Sequence, residues 1–246
     1  MTCRARVLAL LLAAAALLAL AAPGLAAPKS KGGRDLIMLS PAFASANVRS
    51  IALLPVSTYD RNFEAQRVVS TLWGKDFKDT GYRWVSAMTA GEMVRVLLGD
   101  STLVAVAAEV LKNARVDSLR APQLCAKLRV DAVLSVRVDQ WEKHEAVVKE
   151  GLMTGVIGYS KPGASVYLKA ALVDSSGALL WSASGAETVE GEAPQDKNAV
   201  GYRHTGLSET PLLDSGKSPE FVDVVDRLLT RWATQFPKPA AAEAVK

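Results

Sequence analysis

Two histidines, one cysteine beyond the first few residues and two acidic pairs are the side chains from which this sequence could build a reactive site. His144 and His204 are the only histidines. A metal site needs several ligands from His, Cys, Asp or Glu at a workable spacing. No local spacing unites these two with other ligands, so both read as exposed structural histidines. Cys125 shares an apolar helix face with Leu124 and Leu128, where a free Cys behaves as a small hydrophobe rather than a nucleophile. Asp139 with Glu142, and Glu190 with Glu192, are paired carboxylates. A glycosidase needs its pair to flank a cleft from separate elements, and neighbours in sequence read as solvated charges. No serine lies in a G-x-S-x-G elbow or an S-x-x-K arrangement, and no Gly-rich phosphate loop is present. The expectation is a protein that is not an enzyme, with no catalytic residue, no cofactor and no metal.

A binding surface is the alternative kind of site. The segment Gly151 to Tyr159 is apolar and glycine-rich, with Lys149 before it and Lys161 after it. Leu152, Met153, Val156, Ile157 and Tyr159 are its candidate interface residues, since an exposed apolar patch marks contact with a partner or a membrane. The competing reading is an extension of two strands with glycines at a bend.

The elements that would position these residues follow from periodicity. Ile51 to Val56 is apolar on both alternating faces, as in a central strand, and ends at Pro55, which has no N–H for a ladder. Ala65, Val68, Val69 and Leu72 repeat at helical spacing within 62–73. Tyr82 to Ala87 reads as a strand. Thr89 with Glu92 has the spacing of a capping box and predicts a helix to about Leu98. Leu103, Val106, Ala107, Val110 and Leu111 predict a further helix, and Pro122 opens another. Period two then takes over. Leu134, Val136 and Val138 oppose Ser135, Arg137 and Asp139, which predicts a half-exposed strand from Ala132 to Trp141. Val166 to Leu172 and Leu179 to Ala183 flank the turn Asp174-Ser175-Ser176-Gly177 as a hairpin. The stretch 187–217 is polar and reads as a surface loop. Ser218 is placed to cap a last helix with Pro219 at its first position and a stripe from Phe221 to Trp232. The fold class expected is α/β (α+β): a single mixed β-sheet with helices packed on it, a carboxy-terminal β-meander and a final amphipathic helix.

The amino terminus bears on location. Arg4 and Arg6 precede an apolar run from Val7 to Ala22 and the small residues of Pro23 to Ala27, the pattern of a secretory signal peptide over 1–27. The rival is an uncleaved anchor, disfavoured because the run is shorter than the ~20 residues of a membrane span. Cys3 precedes the run, where it cannot become the acylated first residue of a lipoprotein. Residues 28–47 read as a flexible mature terminus, 48–236 as a single domain and 237–246 as a disordered tail. Loss of Arg4 and Arg6 turns 29 Lys and Arg against 25 Asp and Glu into 27 against 25. So balanced a charge gives no reason to expect nucleic acid as a partner. With Cys125 as the sole remaining cysteine no intramolecular disulfide is available, and the 50% hydrophobic content must supply the stability.

Three phrases carry a resemblance. They are Val48-Arg49-Ser50-Ile51-Ala52-Leu53-Leu54-Pro55-Val56, then Leu128-Arg129-Val130-Asp131-Ala132-Val133-Leu134-Ser135-Val136, then Leu172-Val173-Asp174-Ser175-Ser176-Gly177-Ala178-Leu179-Leu180-Trp181-Ser182. In this order they resemble periplasmic lipoprotein families of Gram-negative bacteria related to the curli secretion protein CsgG, the penicillin-binding-protein activator LpoB and the amino-terminal domain of TolB. Within that group the chain is most similar to a family of surface lipoproteins of unknown function. The matching positions are structural, so no site residue carries over. The resemblance implies a periplasmic envelope protein, lipoprotein-like though without the acylated cysteine, that binds another envelope component in support of assembly, secretion or transport. The partner expected is an unidentified envelope protein, with membrane contact and homo-oligomerisation as further options. Two other classes stand behind it: a carrier or sensor of an apolar small molecule or lipid, and last a cell-wall hydrolase, which lacks a nucleophile–base motif.

Overall fold

The computed structural model describes residues 35–144, 148–150, 157–159, 162–191 and 218–239. Seven strands form one mixed sheet: β1 (Leu36–Leu39), β2 (Ser50–Leu53), β3 (Ser57–Thr58), β4 (Arg83–Val85), β5 (Ala132–His144), β8 (Gly163–Asp174) and β9 (Leu179–Glu190). Their order is β1-β9-β8-β5-β2-β4, with β3 also paired to β5. β2 runs parallel to β4 and to β5, whereas β5, β8, β9 and β1 are antiparallel neighbours. A separate ribbon pairs β6 (Val148–Glu150) with β7 (Ile157–Tyr159). Among the described residues five helices cover the sheet: α1 (Phe63–Asp76), α2 (Ala87–Leu98), α3 (Asp100–Asn113), α4 (Ala121–Leu128) and α5 (Phe221–Gln235). This is the mixed sheet with helices, carboxy-terminal meander and final amphipathic helix that the patterning predicts.

The strand pattern explains the two cores. Along β2, Ile51 and Leu53 point to one face and Ala52 to the other, continued by Leu54, and all are buried. On the first face α1 and α5 bury Val69, Trp73, Leu228 and Trp232 against Leu134, Val136, Leu168 and Trp181. On the second, α2, α3 and α4 bury Val94, Val110, Leu124 and Cys125 against Val133 and Val173. The β8–β9 turn needs its glycine. Gly177 has φ +85°, and a Cβ there would lie 2.3 Å from the Ser118 carbonyl oxygen.

Several expectations need correction. The folded part reaches back at least to Asp35, ahead of Val48, because Leu36–Leu39 pairs with β9 and a 3₁₀ turn at Pro41–Phe43 buries Phe43. The ordered end extends past 237, where the Pro237 carbonyl accepts a bond from the Tyr82 hydroxyl at 2.8 Å and Pro239 packs on Gly81. α2 starts earlier than the Thr89–Glu92 pair predicts. Ser86 is its cap, accepting from the Thr89 N–H at 3.2 Å, while Glu92 pairs with Arg95. β5 is buried on both faces as far as Val138, with Arg137 bonded to the end of α3 and the Ser135 hydroxyl donating to the Ala171 carbonyl at 3.3 Å. Its polar alternation marks a buried polar contact, not a wet face. Glu220, without a side-chain cap bond, precedes α5; Ser218 instead donates to the His144 carbonyl at 3.4 Å. β9 runs to Glu190, into the predicted loop, and residues 192–217 lie outside the described residues.

Candidate functional site

The chain leaves the carboxyl end of β2 to form α1 on one face and leaves the neighbouring β4 to form α2 on the other. Adjacent parallel strands whose connections depart to opposite faces open a crevice at their carboxyl ends, the usual ligand position of open α/β sheets. Such a crevice is present. It has a volume of about 520 Å³ and is lined by Pro55 and Val56 after β2, by Phe63, Gln66, Arg67, Ser70 and Thr71 of α1, by Ala87, Met88, Gly91 and Glu92 of α2, and by Leu103 of α3.

Local chemistry sets its walls. Asn62 caps α1 by accepting from the Ala65 N–H at 2.9 Å, which places Phe63 at the first helical position, out over the crevice and 79% exposed. Ser86 caps α2 in the same way and leaves Met88 in the first turn, also 79% exposed. Between them Gly91 lets α2 approach the floor: a Cβ there would stand 3.0 Å from Cγ of Pro55. Glu92 on the rim is held by Arg95 at 2.6 Å. The Arg67 guanidinium has no ion-pair partner among the described residues. The result is an open groove with an apolar floor, two projecting apolar side chains and a polar rim.

A second concavity of about 480 Å³ lies over the face of β1, β9 and β8 that the helices leave uncovered. Small side chains, Ala171, Ser182 and Ser184, form its floor, Leu36 and Met38 of β1 stand on one side, and Lys169 with the end of α3 on the other.

The residues singled out by sequence are scattered. His144 ends β5, exposed, with Nε2 2.9 Å from the Ser165 hydroxyl; His204 lies outside the described residues. Cys125 is buried in α4, and burial, reinforced by the charges of Asp174 and Asp131, pushes its thiol up to about 12. Asp139 is bound by Arg137 at 3.0 Å and Lys169 at 2.9 Å, and Glu142 accepts from Gln140 at 3.0 Å. Burial pushes the Asp139 carboxyl up, but the bonds from Arg137 and Lys169 outweigh it and hold it below its ordinary value. Glu190 ends β9, and Glu192 lies outside the described residues. Of the candidate interface, Leu152, Met153 and Val156 lie outside them as well, while Ile157 and Tyr159 belong to β7. Among the described residues no three His, Cys, Asp or Glu side chains gather as metal ligands, and no helix is long and apolar enough to cross a membrane. Sequence reasoning missed the crevice because Phe63 and Met88 precede the apolar stripes of their helices. The paired caps Asn62 and Ser86 were the available signal.

No family model matches the chain, and the search of curated proteins finds no relative. Among solved structures, a PelC variant dodecamer from Paraburkholderia phytofirmans is 16% identical, with 81% of this chain and 95% of that one covered and a TM-score of 0.40. A second crystal form of the PelC dodecamer gives 15% identity, 80% and 96% coverage and 0.39. Lipoprotein GNA1162 from Neisseria meningitidis is 18% identical over 65% of this chain and 94% of its own, with a TM-score of 0.38.

Proposed function

We propose that this chain is a non-enzymatic periplasmic protein of the bacterial envelope that binds another envelope component through the crevice between α1 and α2, in support of assembly, secretion or transport. The observation behind it is the pair Phe63 and Met88, each 79% exposed on opposite walls of one apolar groove. Large apolar side chains so placed act as anchors when a partner covers them. The charged, apolar and small-residue pattern of 1–27 supports export, and the motif resemblance to the families related to CsgG, LpoB and TolB supports an envelope role. A photo-crosslinking residue placed at Phe63 or Met88 in living cells is expected to give one discrete adduct. The same residue at Leu119, 89% exposed on another surface, is expected to give none. Identical labelling at all three positions, or no adduct at the crevice, contradicts this reading.

A carrier of an apolar small molecule is the second reading, favoured by the crevice volume of about 520 Å³ and its apolar floor. Lipid retained by the purified protein and lost in Phe63→Ala would select it over a protein partner.

A further inference from the structure

We propose that two copies of this chain pair through β1, edge to edge and antiparallel about a two-fold axis at Met38, to make one continuous sheet. β1 is a terminal strand whose sequence, Leu36-Ile37-Met38-Leu39, has no charge and no proline. Edge strands are ordinarily blunted by such residues, and a bare apolar edge is a template for another strand. Here Leu36, Met38 and Leu39 are 65%, 62% and 53% exposed.

Backbone parity fixes which groups are on offer. The Ser40 N–H donates to the Leu180 carbonyl at 2.8 Å, in register with Leu36 opposite Ser184 and Met38 opposite Ser182. In an antiparallel ladder alternate residues point their N–H and C=O to the same neighbour, so Ile37 and Leu39 turn theirs to the open edge. Among the described residues no strand lies there.

A second copy meets these groups by symmetry. With Met38 opposite Met38 of the second copy, Ile37 falls opposite Leu39 of the second copy, and the two pairs exchange four backbone hydrogen bonds. Leu39 is then covered by Ile37 of the second copy on one face of the sheet, while the two Met38 side chains meet on the other. Within β1 itself no charge opposes this approach. Asp35, which precedes the strand, is spent on Arg231, with Nε 2.9 Å from Oδ2. An isologous contact of this kind closes on itself and does not propagate. The crevice lies toward the opposite edge, beside β2 and β4, so the dimer leaves two crevices open and gains avidity for a repeated partner.

The register supplies the test. Met38 and its counterpart form a non-bonded antiparallel pair with Cα atoms ~4.5 Å apart, within the range of a disulfide. The full chain carrying Cys3→Ser is used; Cys125 is buried. Light scattering at tens of micromolar is expected to give twice the chain mass, and Met38→Lys the monomer mass with a cooperative melt whose midpoint no longer depends on protein concentration. Met38→Cys is expected to form a covalent dimer under mild oxidation, at least tenfold faster than Leu36→Cys, which falls opposite Ser40. A monomer at all concentrations, as when another segment or protein covers β1, overturns the proposal. Equal crosslinking at both positions overturns the register. Crevice crosslinking at Phe63 is read independently, since Met38→Lys leaves that surface untouched.

Discussion

Arg231 of α5 reaches across the sheet end to grip Asp35, the residue that introduces β1, through Nε to Oδ2 at 2.9 Å and Nη2 to Oδ1 at 3.2 Å. Its Nη1 also pairs with Glu187 of β9. One guanidinium thereby ties the first strand, the third strand of the meander and the last helix together. The planar fork suits this bidentate role, and lysine could not fill it. The fit is close on every side: a Cβ at Gly185 would meet Asp35 Oδ1 at 2.2 Å.

Arg231→Ala is expected to cost about 3–5 kcal/mol, because it leaves the buried Asp35 carboxylate uncompensated beside Glu187. Chemical denaturation followed by tryptophan fluorescence measures it. Arg231→Lys should recover only part of the loss. A change within about 0.5 kcal/mol for Arg231→Ala would place the clamp in solvent and loosen the attachment assigned to β1.

Acid should weaken the fold through particular carboxylates. At Asp131 and Asp139 burial pushes the pKa up, but it is outweighed, at Asp131 by bonds from the Ser50 hydroxyl and the Arg49 and Ser50 N–H groups and at Asp139 by Arg137 and Lys169. Both folded values end below the ordinary carboxylate value of ~4, so the unfolded chain binds more protons in that window. The stability they contribute is present above about pH 4 and lost as pH falls through the folded values. Asp76 behaves oppositely. Burial, then the charge of Asp226, raise it despite Lys75, so its ionised form disfavours folding above about pH 4. Asp131→Asn should lower stability by about 1–3 kcal/mol at pH 7. Asp76→Asn should raise the thermal midpoint at pH 7 and leave it unchanged at pH 3. Melting curves across pH for both variants check the signs, and a destabilised Asp76→Asn at pH 7 would reverse the role given to burial.

Periodic elements were legible in the sequence and contacts between distant residues were not. The period-two runs of β8 and β9, the Gly177 turn and the stripe of α5 announce themselves because each repeats over several residues. β1 has only four residues, too few for a period, and follows Lys, Ser and Gly residues typical of a loose terminus. Its order comes from β9 and from Arg231, 196 positions away, which no local pattern encodes. Arg137 misled for a related reason. Its alternation with Val136 and Val138 implies water, but its Nη1 donates to the Leu111 carbonyl at 2.6 Å and closes the end of α3. The crevice arises only where Pro55, Phe63 and Met88 meet in space. The apolar segment 151–159, the one interface the sequence nominated, lies largely outside the described residues.

Trp232 of α5 sits between Trp73 of α1 and Trp181 of β9, with ring centroids 6.2 and 6.3 Å away, both in edge-on contact, and Trp181 also meets Phe236 at 4.9 Å. Trp141 and Phe221 stack at 4.2 Å at the other end of the helix. The stripe of α5 is therefore spent on the sheet: Phe221, Val224, Val225, Leu228, Leu229 and Trp232 are all buried. A helix whose apolar face is already covered cannot wait for a groove on a partner. Trp181→Ala is expected to cost about 3–5 kcal/mol, the range for removal of a large buried aromatic. Truncation after Gly216 exposes the whole face at once. Each large side chain contributes on the order of 1.5–3 kcal/mol, against a total stability of about 5–15 kcal/mol, so the shortened chain should aggregate and show no cooperative melt. Gel filtration with calorimetry reads both. A truncated chain that remains monomeric and melts cooperatively would show that the sheet stands without α5 and that the stripe is free to serve as a partner-binding surface.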